Sequence, residues 1–294
     1  MSLTFDNRDG WIWLNGSYIS WREATSHIIN QGLHYGSTVF EGERAYNGKI
    51  FKSKEHTDRL FNSAEILGIS IPYSKDAINQ AKESLIKKMN FSNCYVRPIV
   101  WRGSQQMGLS TNMADIHVAI ATWDDWASYF KIEDRLKGLR LITSPWKRPS
   151  PDTSPHEAKA SGLYMVCTMS KEFAEKKGYN DALMLDYRNY VAEGTGANIF
   201  FIKGNTIDTP IPDCFLNGIT RQTVIEIAKN QGFHIEEKYI KPADLENYDE
   251  AFLTGTAAEV TPISSIDGFK FSIGENTMTF KLMNDFTNFV NSSN

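Results

Sequence analysis

Glu193-Gly-Thr-Gly-Ala-Asn198 is the stretch on which the fold turns. A Gly-x-Gly in an α/β chain invites a dinucleotide-binding reading, in which three glycines lead from a strand into a helix. Here the third glycine is missing, and the segment runs into the apolar residues Ile199 to Ile202, a strand pattern. The Rossmann arrangement is thereby excluded. What remains is an acid, Glu193, before a turn whose two glycines let backbone approach a ligand closely. Taken alone it reads as a hairpin loop with a solvated acid.

Around this stretch the second half of the chain alternates. A helix is expected over about 161–177, strands at 181–186, 191–192 and 199–202, a helix over 220–231, and strands near 234–240 and 250–253. The first half opens with a strand at 10–14 and a glycine-rich aromatic stretch, 32–46. Helices follow over about 54–68 and 74–89, the second with Ser74 as N-cap, and then β-rich runs at 94–101 and 116–122. An apolar run occupies 139–143. Residues 144–161 contain Pro145, Pro149, Pro151 and Pro155 and are expected to form a long loop. The fold class is therefore α/β (α+β) with two domains: a small N-terminal α/β domain, 1–125, an interdomain loop, 126–138, and a large C-terminal α/β domain, 139–294, that carries Lys159.

Composition narrows the function. The net charge of −4 provides no general positive field for nucleic acid or an anionic membrane. No apolar stretch approaches the roughly 20 residues of a spanning helix, and Met1 to Gly10 carries Asp6, Arg8 and Asp9 where a signal core would be apolar. Cys94, Cys167 and Cys214 are too few and too scattered for a disulfide framework or a zinc site. No phosphate-binding P-loop, His-Glu-x-x-His helix or Gly-x-Ser-x-Gly elbow occurs, so no metal is expected. The expectation is a soluble protein of the reducing cytoplasm.

Three features carry chemistry. Lys159, in Pro155-His-Glu-Ala-Lys-Ala-Ser-Gly162, is flanked by small residues. Burial would lower its pKa and expose an amine nucleophile, although a lone lysine reads as a solvated surface residue. Glu193 offers a carboxylate to a cationic ring nitrogen. Gly218-Ile-Thr220, opening a helix, and Gly255-Thr-Ala-Ala-Glu259, following a strand, offer backbone N–H groups to an anion, although Thr220 alone is an ordinary N-cap. A lysine, an acid and a neutral phosphate cup are what a pyridoxal phosphate enzyme requires. In the run 94–101, Tyr95, Arg97 and Ile99 share one face at period two, and Pro98 leaves an edge strand as the alternative. Arg59 stands four residues after Glu55, at ion-pair spacing.

With these residues in place, the chain resembles the fold type IV aminotransferases, most closely the branched-chain amino acid aminotransferases. The segments that carry the resemblance are Leu33-His-Tyr-Gly-Ser-Thr-Val-Phe-Glu-Gly42, Tyr95-Val-Arg97, Glu157-Ala-Lys-Ala-Ser-Gly162, Glu193-Gly-Thr-Gly-Ala-Asn198, Gly218-Ile-Thr-Arg221 and Gly255-Thr-Ala-Ala-Glu259. The resemblance implies pyridoxal 5'-phosphate (PLP) as cofactor, an active site at the domain interface, and reversible amino transfer from L-leucine, L-isoleucine or L-valine to 2-oxoglutarate. It implies that Lys159 is the catalytic residue, bonded to the cofactor and moving the proton. Glu193 would face the pyridine nitrogen, Tyr164 the phenolic oxygen, and Arg59, Ile219, Thr220 and Thr256 the phosphate.

For the substrate it implies that Tyr95 and Arg97 receive glutamate's distal carboxylate. Tyr35, Phe40, Trp126 and Tyr129 would form aromatic walls, and Thr256, Ala257 and Ala258 would hold the α-carboxylate. Tyr35 and the loop around Leu109 would enter the neighbouring subunit's site, in a homodimer or a hexamer built as a trimer of dimers. Three positions depart from the family pattern: Glu43, where an apolar residue is usual, Leu163, where asparagine is common, and Gly108-Leu-Ser110, which lacks the usual valine and nearby proline. Other members of the fold type, the D-amino acid aminotransferases, (R)-amine transaminases and aminodeoxychorismate lyases, are the alternatives. A cofactor-binding protein without activity is a further one, opposed by the joint presence of Lys159, Glu193, Arg59 and Tyr164.

Overall fold

A computed structural model describes residues 4–124 and 137–292. They fall into two compact units, residues 4–124 together with Ala158–Gly162, and residues 137–157 together with 163–292. The sequence expectation assigns Lys159 to the C-terminal part of the chain; by contact its segment groups with the first unit. Local bonds explain this. Ala160 bridges Val39, the Phe40 N–H donates to the Lys159 carbonyl at 3.1 Å, and the Lys159 N–H donates to Ser63 Oγ at 2.9 Å.

The first unit holds β1 (Trp11–Leu14), β2 (Ser17–Ser20), α1 (Gln31–Tyr35), β3 (Thr38–Phe40), β4 (Glu43–Tyr46), β5 (Lys49–Ile50), α2 (Ser53–Ile66), α3 (Lys75–Met89), β6 (Cys94–Arg102) and β7 (Ile116–Trp123). The glycine-rich stretch 32–46 is thus structured, as a short helix and two strands. Among the described residues these strands form one seven-stranded sheet, ordered β2-β1-β7-β6-β4-β5 with β3 also on β6. β6 is central, so the edge-strand alternative is overturned. Pro98 is tolerated because its side of β6 faces the interval between β3 and β4, where its carbonyl accepts the Glu41 N–H at 2.9 Å.

α3 follows its sequence signals. The Ser74 hydroxyl accepts the Ala77 N–H at 3.1 Å, and Asn90 ends the helix in the left-handed region at φ 57°. Its buried face contains the expected Ile78, Ala81 and Leu85, and also Lys82, which is wholly buried. The Lys82 ammonium lies 2.7 Å from the equally buried Glu43 carboxylate and donates to Thr57 Oγ1 at 2.8 Å and the Ser53 carbonyl at 3.2 Å. The departure at Glu43 is therefore answered by a cation on the facing helix.

The second unit holds β8 (Leu139–Arg148), α4 (Met165–Lys176), β9 (Asp181–Asp186), β10 (Val191–Glu193), β11 (Asn198–Lys203), β12 (Thr206–Pro210), α5 (Ile219–Asn230), β13 (His234–Lys238), β14 (Glu250–Gly255), β15 (Glu259–Ile266), β16 (Phe269–Lys270) and α6 (Met278–Ser292). The strands form a nine-stranded sheet in the order β10-β9-β8-β15-β14-β11-β12-β13, with β16 on β15; a β10–β11 pairing links strands well apart in that order and closes them into a ring. Leu139, Leu141, Leu183, Phe201, Leu253 and Ile263 belong to its dry core. α4 packs on β8 and β9, and α5 and α6 on β14 and each other.

Two expectations need correcting here. The segment 144–161 is not loop throughout, since β8 continues through Pro145 to Arg148. The proline sits where the pairing with β9 shifts register, between Thr143 and Lys147, one of the few places a strand accepts a missing N–H. The helix expected from 161 begins as a 3-10 turn, Ser161–Tyr164, before α4. No helix among the described residues is long and apolar enough to cross a membrane.

Removing one partner of the Lys82–Glu43 pair strands a buried charge, which typically costs about 3–5 kcal/mol. Lys82→Met should lose stability on that scale in denaturant unfolding, and Glu43→Leu/Lys82→Met should regain most of it. Equal stability of the single variant and the wild type would show that the pair contributes nothing.

Candidate active site

In the first unit one face of α2 builds the site. His56, Arg59 and Ser63, spaced three and four residues apart, project from the same side. Ser63 holds the Lys159 backbone, as above. Arg59 pairs with Glu41 through Nε at 2.7 Å and Nη2 at 2.8 Å, and His56 Nδ1 lies 2.7 Å from the same carboxylate. The alternative reading of Arg59, an ion pair with Glu55, is replaced; Glu55 lies 3.7 Å from Lys52. Burial alone would raise the Glu41 pKa, but the charge and hydrogen bonds of Arg59, with those of His56, hold it well below the usual carboxylate range. Burial raises the neighbouring Glu43, against the charge of Lys82.

The Lys159 ammonium lies 4.9 Å from the centre of the Phe40 ring. Desolvation lowers its pKa to about 8, with Arg59 and Arg97 pushing the same way and Glu41 and Tyr95 opposing. At pH 7.5 about a quarter of such an amine is neutral, against about one part in a thousand for an ordinary lysine. The solvated-lysine reading is thereby set aside.

Arg97 meets the same ring, its guanidinium carbon 4.8 Å from the Phe40 centroid, and donates from Nη2 to the Tyr95 hydroxyl at 3.1 Å. The shared face expected for Tyr95 and Arg97 is realised. Arg97 Nε is buried without a hydrogen-bond partner, an opening for an anion. Tyr95 stacks on Trp123 at 4.9 Å, and its hydroxyl leaves no room at Gly42, where a Cβ would stand 2.0 Å away.

Tyr35 and Leu109 lie apart from this cluster, on the surface. α1 is tied to the loop after β6 through Gln31, whose amide donates to the carbonyls of Gly108 at 3.1 Å and Ser110 at 2.6 Å. Ile28, Leu33, Tyr35, Leu109 and Met113, on α1 and the segments before it and after β6, are exposed apolar side chains. Trp126 and Tyr129 lie outside the described residues.

In the second unit Glu193 ends β10 and pairs across the turn with Asn198. Its carboxylate is buried, 3.4 Å from Arg148 Nε. Burial lowers the Arg148 pKa, but the neighbouring Glu193, Cys167 and Tyr164 outweigh it and hold the guanidinium charged. Arg148 Nη1 also donates to the Leu163 carbonyl at 3.2 Å, at the turn that carries Tyr164. Glu193, Arg148 and Tyr164 thus share one neighbourhood.

Asn198 ties it to the helix start. Its amide lies 3.5 Å from Glu193 and its carbonyl oxygen accepts the Gly218 N–H, the N-cap of α5, at 3.1 Å. A Cβ at Gly218 would stand 2.3 Å from that oxygen, so the glycine is required. Ile219 and Thr220 are buried in the first turn beyond it. Thr256, Ala257 and Ala258 form the turn between β14 and β15, and Gly255 lies against Gly196 and Ala197 of the Glu193 turn.

Sequence reasoning missed Glu41, His56, Arg148 and Asn198. His56, Arg59 and Ser63 were visible as a helical stripe; Arg148 was hidden by the loop reading of 144–161. The three cysteines are buried, and burial, with Asp186 and Asp213 nearby, pushes the Cys214 thiol up to about 12. Asp186, Asp213 and Cys214 cluster closely, but Arg188 lies 2.7 and 2.8 Å from the two carboxylates and supplies the cation there.

The chain is similar to known proteins over most of its length. The class IV amino-transferase family model matches residues 38–266. The chain is 44% identical over 269 residues to a probable branched-chain-amino-acid aminotransferase of Rickettsia felis, covering 92% of this chain and 89% of that one. It is 43% identical over 276 residues to the branched-chain-amino-acid aminotransferase of Pseudomonas aeruginosa, covering 92% and 90%. Among solved structures, the T.th. branched-chain amino acid aminotransferase with pyridoxamine 5'-phosphate is similar at a TM-score of 0.91 and 35% identity, over 97% of this chain and 95% of that one.

If the Lys159 amine is desolvated as described, competitive acetylation followed peptide by peptide in the mass spectrometer should give it a titration midpoint of about 8, while exposed lysines titrate near 10. A midpoint near 10 for Lys159 would contradict the described environment.

Proposed function

From the premise that this chain belongs to the class IV aminotransferases, we propose that it transfers the amino group of L-leucine, L-isoleucine or L-valine to 2-oxoglutarate, giving branched-chain 2-oxo acids and L-glutamate. The observation that carries the substrate assignment is the single ring of Phe40 against which both Lys159 and Arg97 lie. An amine for the reacting carbon and a guanidinium for a distant carboxylate thus meet one apolar wall. One pocket then serves a branched side chain against the ring in one half-reaction and glutamate's side chain at the arginine in the other.

The residues also fit PLP. A buried acid neutralised by Arg148 suits a pyridinium nitrogen, a helix start capped by Gly218 suits a phosphate, and an amine of depressed pKa suits an aldehyde. When bound, the cofactor supplies the carbonyl carbon that takes the amino group and the ring that withdraws electrons from the substrate Cα.

The protein's own groups do the rest. Lys159 would hold the cofactor and, at its Nζ, would carry the proton to and from the substrate Cα, a task for which a pKa near the working pH is suited. Glu193 holds a proton at the ring nitrogen and Tyr164 binds the phenolic oxygen. Arg59 and the α5 start, with Ile219 and Thr220, bind the phosphate, joined by Thr256. The Thr256–Ala258 turn receives the α-carboxylate. Arg97 and the Tyr95 hydroxyl receive the distal carboxylate, and the buried Arg97 Nε gives that carboxylate a second donor. The exposed apolar side chains of Tyr35 and Leu109 meet a second copy of the chain, in a homodimer or a hexamer, and the enzyme works in the cytoplasm.

Supplied with PLP and L-isoleucine but no acceptor, the protein should form one equivalent of 2-oxo acid, and none from D-isoleucine. A preference for D-amino acids or (R)-amines would replace this reading with another fold type IV activity. Lys159→Ala should abolish the transfer. Arg97→Ala should reduce kcat/KM for L-glutamate at least tenfold more than for L-leucine; equal losses would refute the shared pocket.

A further inference from the structure

Arg59 does not stand alone on its helix. Two of its nitrogens meet the two oxygens of Glu41 in a fork-to-fork pair. Glu41 has no exposed side-chain surface, so its charge persists only because Arg59 and His56 satisfy it. Its main chain is fixed as well: the Glu41 N–H donates to the Pro98 carbonyl at 2.9 Å, and the Gly42 N–H reaches Glu41 Oε2 at 3.3 Å. Earlier on α2, Thr57 and the Ser53 carbonyl are tied to Lys82 and thence to Glu43. The helix that carries Arg59 is therefore pinned to β4, and the strand-side residue that grips Arg59 cannot drift.

An arginine on a long stem loses rotamer freedom when it must meet a ligand, and a bidentate carboxylate removes that freedom in advance while setting the plane of the guanidinium. We propose that Glu41 is a positioning residue, which aims Arg59 at an anion and so sets how strongly the protein holds the phosphate of its cofactor. The identity of that anion rests on the function proposed above; the grip itself rests on geometry. Glu41 touches neither cofactor nor substrate in this proposal and acts on the phosphate through Arg59.

The test compares PLP with pyridoxal, which lacks the phosphate. Dissociation constants are measured for the wild type, Glu41→Gln, Glu41→Asp, Arg59→Ala and Arg59→Ala/Glu41→Gln, with thermal unfolding of each. Glu41→Gln keeps the shape but loses the charge and one hydrogen-bonding mode. It should weaken PLP binding about ten- to a hundredfold more than it weakens pyridoxal binding, the scale of a hydrogen bond to a charged group. Glu41→Asp, which keeps the charge but shortens the reach, should fall between. In the Arg59→Ala background Glu41→Gln should add less than a threefold loss.

Equal weakening of PLP and pyridoxal, or a full second loss in the Arg59→Ala background, would make Glu41 a general structural residue and overturn the proposal. Should Glu41→Gln fail to fold, Glu41→Asp decides by the same ratio. If Arg59→Ala itself discriminates between the two ligands as the wild type does, Arg59 does not bind the phosphate, and the reading of its role falls together with the proposal. If it loses that discrimination while Glu41→Gln retains it, only the proposal falls.

Discussion

A charge removed from water has to be met by an opposite charge or by several hydrogen bonds, and this constraint organises the first unit. Glu41 and Glu43, separated by one glycine, are both wholly buried. Each demands a cation, and the cations come from the two helices packed on that side of the sheet: Arg59 on α2 and Lys82 on α3. Because the segment from Glu41 to Glu43 is joined to these helices through charged pairs, neither helix can rotate or slide without exposing an unpaired charge. The apolar contacts of Leu60, Ile78 and Leu85 supply burial, and the ion pairs supply register.

That fixed register is what gives Lys159 its chemistry. The lysine is brought to the first unit by a β-bridge and two backbone hydrogen bonds, one of them to Ser63 on the same face of α2 that carries Arg59. Its ammonium is then desolvated beside two guanidinium groups and one carboxylate. A small movement of Arg59 would change both the phosphate contact assigned to it and the acidity of the amine. The second unit applies the same device on a smaller scale. Arg148 and Glu193 are buried together, and Asn198 links the acid to the N-cap of α5.

Much of this is legible in the sequence. Ser74 caps its helix, the period-two face of Tyr95 and Arg97 becomes a hydrogen bond, and the failed dinucleotide motif at Glu193 becomes a strand pair rather than a helix start. These are local properties, set by backbone preference within a few residues. The misreadings are of another sort. Pro145 and Pro98 read as marks of loop and edge, yet both lie within strands, because whether a missing N–H matters depends on what lies opposite it, at a register shift or at a gap between two strands.

The sequence by itself determined the family and put forward the amine and the acid proposed for its chemistry, since those depend on residue types in order along the chain. It also marked Glu43 as a departure, without showing what answers it. Only the tertiary structure decided that Lys82 answers it, that Glu41 rather than Glu55 holds Arg59, and that Lys159 belongs with the N-terminal sheet. The physical reason is the same in each case. Partners of buried charges are chosen by distance in space, and residues 39 or 96 positions apart in the chain leave no trace of that choice in the spacing of their letters.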